Sequence, residues 1–342
     1  MYTMADVARL ANVSRATVSI VVNGQYEERK IPLSTCQKVW DAMKELDYHP
    51  NISARRMKNK DSFMPTVALL WPSDSRLSYL DRFLHSLMQQ AGLPNQKCEI
   101  VLQGYHGGRI EDSVQLIRQG SFHGVIIVGA SPEDLAFLET SAFRVPIILV
   151  NRNSEKYTTV SSNDLLLIEK AHTAFLNRGF HEAAVICAKN PKSASGLRVR
   201  LFAEMARNSG IRIPNESMIW TDNSMQGGVD AAKTYLALKN RPRAVFSDCD
   251  YITMGMIHEC AKRGFHVPED LEILSVGLLT DEYSRYFSPS LSTVTMPLEE
   301  IAHESLRQIL KLVSDPSEPT RHIVCNPVIH YRESFTESAP LR

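Results

Sequence analysis

The sequence predicts an all-α helix-turn-helix headpiece joined to an α/β body of two doubly wound, parallel-sheet lobes. Three observations carry this. Residues 3–48 read as three short helices; short apolar strands alternate with amphipathic helices from Val67 onward; and the charge is uneven along the chain. Residues 1–60 hold ten Lys and Arg against six Asp and Glu, while the whole chain is formally neutral, so a basic head precedes an acidic body. At 342 residues, with 44% hydrophobic and 22% charged residues, the chain is long enough for two or three domains with real cores.

The head comes first. Thr3 followed by Asp6 has the spacing of a weaker capping box and starts a helix through Ala5, Val7, Ala8 and Leu10. Asn12 tolerates the left-handed backbone that a tight corner requires, and Ser14 is a natural N-cap for the next helix, whose Val18, Val21 and Val22 face inward. The third helix lies within residues 34–48, where Val39, Met43 and Leu46 repeat at helical spacing, and Pro50 ends it. A second helix docked in a major groove presents its N-terminal residues to base edges. Arg15 can donate two hydrogen bonds to guanine, Ala16 can lie against a thymine methyl, and the hydroxyls of Ser14, Thr17 and Ser19 can reach phosphates or bases. The pattern alone also fits a plain helical hairpin with a solvated arginine.

After the head, residues 51–60 form a short polar, helix-compatible segment running into a linker. The strands "TVALLW", "EIVLQG", "GVIIVG" and "VPIILVN" then alternate with helices such as "DRFLHSLMQQA", the rhythm of βαβ crossovers; it resumes from "EAAVICA" through "LEILSVG" to make a second unit. Two such lobes leave a cleft at the carboxyl ends of their strands, where small ligands bind in open α/β sheets.

Several function classes fall away. Six scattered cysteines without a C-x-x-C pair fit a reducing cytoplasm; no leader-like start and no long apolar run speak for secretion or membrane insertion. G-x-S-x-G, H-E-x-x-H, G-x-x-x-x-G-K-[ST] and G-x-G-x-x-G are all absent, and the eleven histidines form no ligand-spaced pair, so neither a catalytic residue nor a metal or cofactor is expected. "GYHGGR" reads as a turn with His106 on a surface loop, and Cys249, between Asp248 and Asp250, as a buried structural thiol.

"MADVARLANVSRATVSIVVNG" followed by "MKELDYHPNISARRM" resembles the headpiece of the LacI/GalR family of bacterial transcription regulators. The resemblance continues through "VNR" at 150–152, "NRGFHEAAVI" at 177–186, "AVFSDCDYITMGM" at 244–256, "GFHVPEDLEILSVG" at 264–277 and "SPSLSTVTMPLEEIAHES" at 288–305. It implies a headpiece over 1–49, a hinge helix and linker over 50–65, and a periplasmic-binding-protein-like body. The N-terminal lobe is expected over 66–163 with 293–322, and the C-terminal lobe over 164–292 with 323–337.

The resemblance further implies a cytoplasmic homodimer on a pseudo-palindromic, double-stranded DNA operator. Thr3, Asn23 and Tyr48 join Ser14, Arg15, Ala16, Thr17 and Ser19 in contacting it, while hinge residues Asn51, Ala54, Arg55 and Met57 enter the minor groove beside Arg56. Met57 stands where the family has a leucine wedge, and Ile20 where a DNA-facing arginine is common, leaving more of the reading to Arg15. The loop "GQYEERKIP" is long for the family; its Tyr26, Arg29 and Lys30 either reach phosphates or stay solvated.

For a small-molecule, carbohydrate-related effector, the resemblance maps Tyr79, Asn151, Arg152, Arg198, Asn223, Asp250 and Leu279 onto the interlobe cleft. Asn151 and Leu279 replace carboxylates that accept sugar hydroxyls, so the effector is less polyhydroxylated than a free sugar or the pocket is vestigial; the first is favoured. Cleft closure would repack the N-terminal lobes, with dimer contacts through helices such as "DRFLHSLMQQ", and so order or melt the hinge helices. The rivals are a DNA-bound regulator controlled by a protein partner and a solute-binding protein, the second opposed by the basic head.

Overall fold

The computed structural model describes residues 4–22, 26–27, 29–46, 64–73, 79–94, 96–118, 122–189 and 194–337. The head consists of α1 (Met4–Leu10), α2 (Arg15–Val22) and α3 (Leu33–Glu45). Its core is Val7, Ala8, Ala11, Val18, Val21, Cys36, Val39 and Ala42, with Val22, Met43 and Leu46 partly buried against it. The third helix thus buries Cys36, Val39 and Ala42 most deeply, with Met43 and Leu46 of the predicted row packed against them.

The body opens with β1 (Thr66–Pro72), α4 (Leu80–Ala91), β2 (Glu99–Tyr105), α5 (Glu111–Arg118), β3 (Gly124–Val128), α6 (Pro132–Thr140), β4 (Ile147–Val150) and β5 (Thr158–Ser162). The second unit runs α7 (Asp164–Asn177), β6 (Ala183–Ala188), α8 (Ala194–Asn208), β7 (Met218–Thr221), α9 (Met225–Leu236), β8 (Ala244–Ser247), α10 (Asp250–Lys262), β9 (Glu272–Gly277), α11 (Asp281–Tyr286) and β10 (Ser292–Thr295). The chain ends with α12 (Leu298–Ser314), β11 (His322–Cys325) and β12 (Val328–His330).

Among the described residues the strands form two six-stranded sheets, ordered β11-β5-β4-β3-β1-β2 and β12-β10-β9-β8-β6-β7. Every neighbouring pair is parallel except β10 and β12. Buried runs such as "GVIIV" in β3 and "EILSVG" in β9 follow from helices covering both sheet faces. The crossings between lobes differ from the expected boundaries. Ser292–Thr295 pairs with β9 in the second sheet, and all of His322–Cys325 pairs with β5 in the first, so the chain crosses back at 296–297 and again at 326–327. The reason is long-range ladder pairing: β10 extends β9, and the chain then returns to the first lobe with α12, which buries Ile301, Ala302, Leu306, Ile309 and Val313 with Val67, Leu69 and Trp71, and with β11.

The second lobe is centred on aromatic packing, with Phe202 stacked on Phe246 at 4.3 Å and Phe335, from the tail, 5.2 Å from Phe175. Its helices α9 and α10 touch backbone to backbone. A Cβ on Gly255 would lie 1.9 Å from the Met225 carbonyl oxygen, so only glycine permits this approach.

Candidate DNA-reading head and interlobe cleft

In the head, Asn12 has φ 51, the left-handed corner its residue type predicts. The Val13 N–H donates to the Ala8 carbonyl oxygen at 3.0 Å, closing the turn. Ser14 Oγ accepts from the Thr17 backbone N–H at 3.0 Å, capping α2, and lies 2.9 Å from Thr17 Oγ1. Val18 and Val21 point into the core, which leaves Ser14, Arg15 and Ala16 exposed and Thr17, Ser19 and Ile20 half-buried. Arg15 has no charged partner among the described residues, so its guanidinium is available to an external acceptor.

Tyr26 is used differently from the phosphate contact considered for it: its ring meets Trp40 edge-on at 5.9 Å and fastens the loop to α3, while Arg29 and Lys30 stay exposed. Thr3, Asn23, Tyr48, Asn51, Ala54, Arg55, Arg56 and Met57 lie outside the described residues.

At the carboxyl ends of the strands, several expected effector residues are engaged by the protein itself. Asn151 has φ 55, and its Oδ1 accepts from the Ser162 N–H at 2.9 Å, tying β4 to β5. Arg152 donates to the carbonyl oxygens of Gly129 at 3.1 Å and of Ala130 and Asn151, covering the ends of its own strands. Asp250 is fully buried at the start of α10; its Oδ2 accepts from the N–H groups of Leu278 at 2.8 Å and Leu279 at 2.7 Å. Burial pushes this carboxyl up, and the amides of Leu279 and Leu278 hold it back. Leu279 is itself buried in the second core. Asn151, Arg152 and Asp250 thus serve backbone groups at strand and loop ends, which use the same donors and acceptors that a ligand would.

The other three expected residues are Tyr79, Arg198 and Asn223. Tyr79 precedes α4, meets Trp71 edge-on at 5.6 Å, and packs against both lobe cores. Arg198, 5% exposed on α8, reaches Asp164 Oδ1 at 3.4 Å, where the chain leaves β5 for the second lobe, and Met296 Sδ at 3.6 Å, where it crosses back. Its Nε is buried without a hydrogen-bond partner, as is Asn223 Oδ1.

Sequence reasoning missed Arg82. This buried residue on α4 makes a fork with Glu299, Nε to Oε1 at 2.5 Å and Nη2 to Oε2 at 2.6 Å, and donates to the Met296 carbonyl at 2.9 Å. Its Nη1 also lies 3.4 Å from the carbonyl oxygens of both Leu278 and Leu279, so it spans the lobes. The available signal was a charge beside Phe83 on a stripe continued by Ser86 and Leu87, where an apolar residue would be ordinary.

The other polar features are internal. Asp134 accepts from the N–H groups of Gly108 and Ile110, both at 2.9 Å, pinning the glycine-rich turn, and His106 Nδ1 lies 3.1 Å from Ser73 Oγ. The Cys249 thiol, raised well above its usual range mainly by burial, faces Asp250 at 3.7 Å.

The head over residues 3–51 matches the family described as bacterial regulatory proteins, lacI family, and residues 173–335 match a periplasmic binding protein-like domain. A crystal structure of a LacI family transcription regulator from Clostridium acetobutylicum is 32% identical, superposes with a TM-score of 0.75, and covers 78% of this chain and 99% of its own. The chain belongs to the LacI family. Its relatives include the ribose operon repressor of Haemophilus influenzae, 26% identical over 98% of this chain and 99% of that one. The HTH-type transcriptional repressor PurR of Photobacterium profundum is 25% identical over 98% of this chain and 99% of that one. Membership makes this a DNA-binding transcription regulator whose second part is an effector-binding body. The relatives are repressors, and among the described residues no helix is long and apolar enough to cross a membrane.

Proposed function

We propose that the protein is a cytoplasmic, non-enzymatic repressor that binds a pseudo-palindromic operator as a homodimer and changes its affinity when a small effector enters the interlobe cleft. The observation that carries the DNA-reading role is the exposed, unpaired Arg15 at the N-terminus of a capped second helix behind a left-handed corner. Ser14, Ala16, Thr17 and Ser19 flank it, and the hinge segment with Asn51, Ala54, Arg55 and Met57 completes the contact in the minor groove. Dimer contacts fit the outer face of α4, where Met88 is 60% exposed. Arg198, with Tyr79 and Asn223, supports the effector role because a buried and weakly paired guanidinium at the lobe crossings favours an incoming acceptor.

Control by a protein partner is the second reading, favoured by the internal engagement of Asn151, Arg152 and Asp250. Selection of bound DNA from a random pool, repeated with and without a small-metabolite extract, separates the two. A palindromic consensus whose recovery changes with the extract supports the effector sensor. A consensus indifferent to the extract supports the partner reading, and no consensus at all removes sequence-specific binding.

A further inference from the structure

We infer that Arg82 is a built-in latch that holds the two lobes closed with no effector in the cleft. Two-lobed proteins commonly close around a ligand, whose contacts to both lobes favour the closed state. Here one side chain of the first lobe makes contacts of that kind itself.

The guanidinium is divided between the lobes. Arg82 is 8% exposed on α4, and its Nε and Nη2 take the two carboxylate oxygens of Glu299 at 2.5 and 2.6 Å. Glu299 lies on α12, which packs into the same first-lobe core as α4. Nη2 also donates to the Met296 carbonyl at the crossing, at 2.9 Å. These bonds aim the group and leave Nη1 for the second lobe, 3.4 Å from the carbonyl oxygens of Leu278 and Leu279 in the loop after β9.

The two halves respond differently to opening. The fork to Glu299 lies within the first lobe and survives a rotation, whereas the Leu278 and Leu279 carbonyls leave with the second. The loop that bears them cannot follow Arg82, because the fully buried Asp250 holds the N–H groups of both residues at 2.8 and 2.7 Å. Opening therefore strips a desolvated charge of two acceptors. Tyr79, three positions before Arg82, adds an apolar contact by packing against both lobe cores. At 3.4 Å each contact across the cleft is long for an N–H···O bond, so the latch favours closure without making it irreversible.

The test is double electron–electron resonance on the full-length protein with no added ligand. Spin labels on Glu111→Cys and Asp222→Cys occupy exposed positions just after β2 and β7, the sheet edges opposite the crossings, where rotation moves the lobes furthest. The six native thiols are buried, and dilution with unlabelled protein confines each measured pair to one protomer. The otherwise unaltered chain should give a single short distance. Arg82→Gln should shift it by several ångströms or raise the open fraction about tenfold, and Arg82→Lys, which keeps the charge without the fork, should fall between. Glu299→Gln, which loosens the aim of the guanidinium and leaves its carbonyl acceptors in place, should open the lobes in part; it decides the matter should Arg82→Gln fail to fold, and unchanged distances in it then overturn the latch. An open form of the chain with Arg82 intact, or an Arg82→Gln variant as closed as the parent, also overturns it. With no effector in the measurement, any of these results leaves the effector reading of the cleft to be judged by its own experiment.

Discussion

Arg82 and Asp250 grip the backbone of the same two residues, Leu278 and Leu279, one by the carbonyls and the other by the N–H groups. Asp250, in the second lobe, accepts the N–H groups of Leu278 and Leu279 on one carboxylate oxygen, while Arg82, from the first lobe, points Nη1 at the carbonyl oxygens of the same residues. The loop after β9 is therefore held by its own lobe and by the opposing one, and Glu299 on α12 fixes the guanidinium that does it. A rotation of one lobe against the other would alter this clamp, since no such rotation leaves all of these bonds unchanged.

Replacing Arg82 by Gln removes the fork and leaves buried carbonyls without a donor. Glu299 is 47% exposed and regains water, so the loss should be about 1–3 kcal/mol, below that of a fully buried ion pair. Urea denaturation measures it, together with faster amide exchange at Leu278 and Leu279. An unchanged urea midpoint would show that the clamp adds nothing to stability.

The sequence shows the two sheets and the head plainly because their signals are local. Strand–helix alternation, Asn12 at the corner and Ser14 at the cap each act within a few residues. What was illegible is long-range. "STVT" and "HIVC" look alike as short strands, and only their pairing with β9 and β5 assigns them to opposite lobes. Arg82 meets Glu299 from 217 positions away, which no local pattern encodes. Motif likeness singled out Arg198, Asn151, Arg152 and Asp250 by position, yet it could not reveal that the last three serve backbone groups of their own lobes.

Gly255→Ala should destabilise the second lobe by more than about 3 kcal/mol, because its Cβ would meet the Met225 carbonyl oxygen at 1.9 Å and the Gly228 Cα at 3.1 Å. Backbone, unlike the end of a flexible side chain, cannot turn away, so α9 and α10 must separate. Gly104→Ala on β2 is the control: nothing lies within 4 Å of its added Cβ, and the melting temperature should hold or rise slightly. Equal melting temperatures for the two variants would contradict the backbone contact.

Acidification should weaken the body before the carboxylates titrate. Burial lowers the pKa of His172 and of His330 below the usual 6.5, with the Arg332 charge adding to the second. The unfolded chain then binds more protons than the folded one between each lowered value and about 6.5, so stability is full above that pH and falls as pH drops through the folded values. Thermal melts from pH 7.5 to 5.5 should show a declining midpoint, and His172→Gln combined with His330→Gln should flatten it. A midpoint that rises on acidification would reverse the sign.

The head separates stability from reading within two neighbouring residues. Ser14 caps α2 through the Thr17 N–H, so Ser14→Ala should cost about 1 kcal/mol of head stability and weaken binding to every DNA sequence alike. Arg15 is exposed and makes no bond that holds the fold, so Arg15→Ala should leave the head's melting unchanged. It should instead lose about 1–3 kcal/mol of discrimination at one base pair in each half-site, the worth of a two-bond contact to guanine. Binding of both variants to the selected operator and to single-position mutants of it gives the two profiles. A uniform loss for Arg15→Ala across all positions would place its guanidinium on phosphate and return base reading to Ala16, Thr17 and Ser19, where the half-buried Ile20 offers no hydrogen bond to share the task.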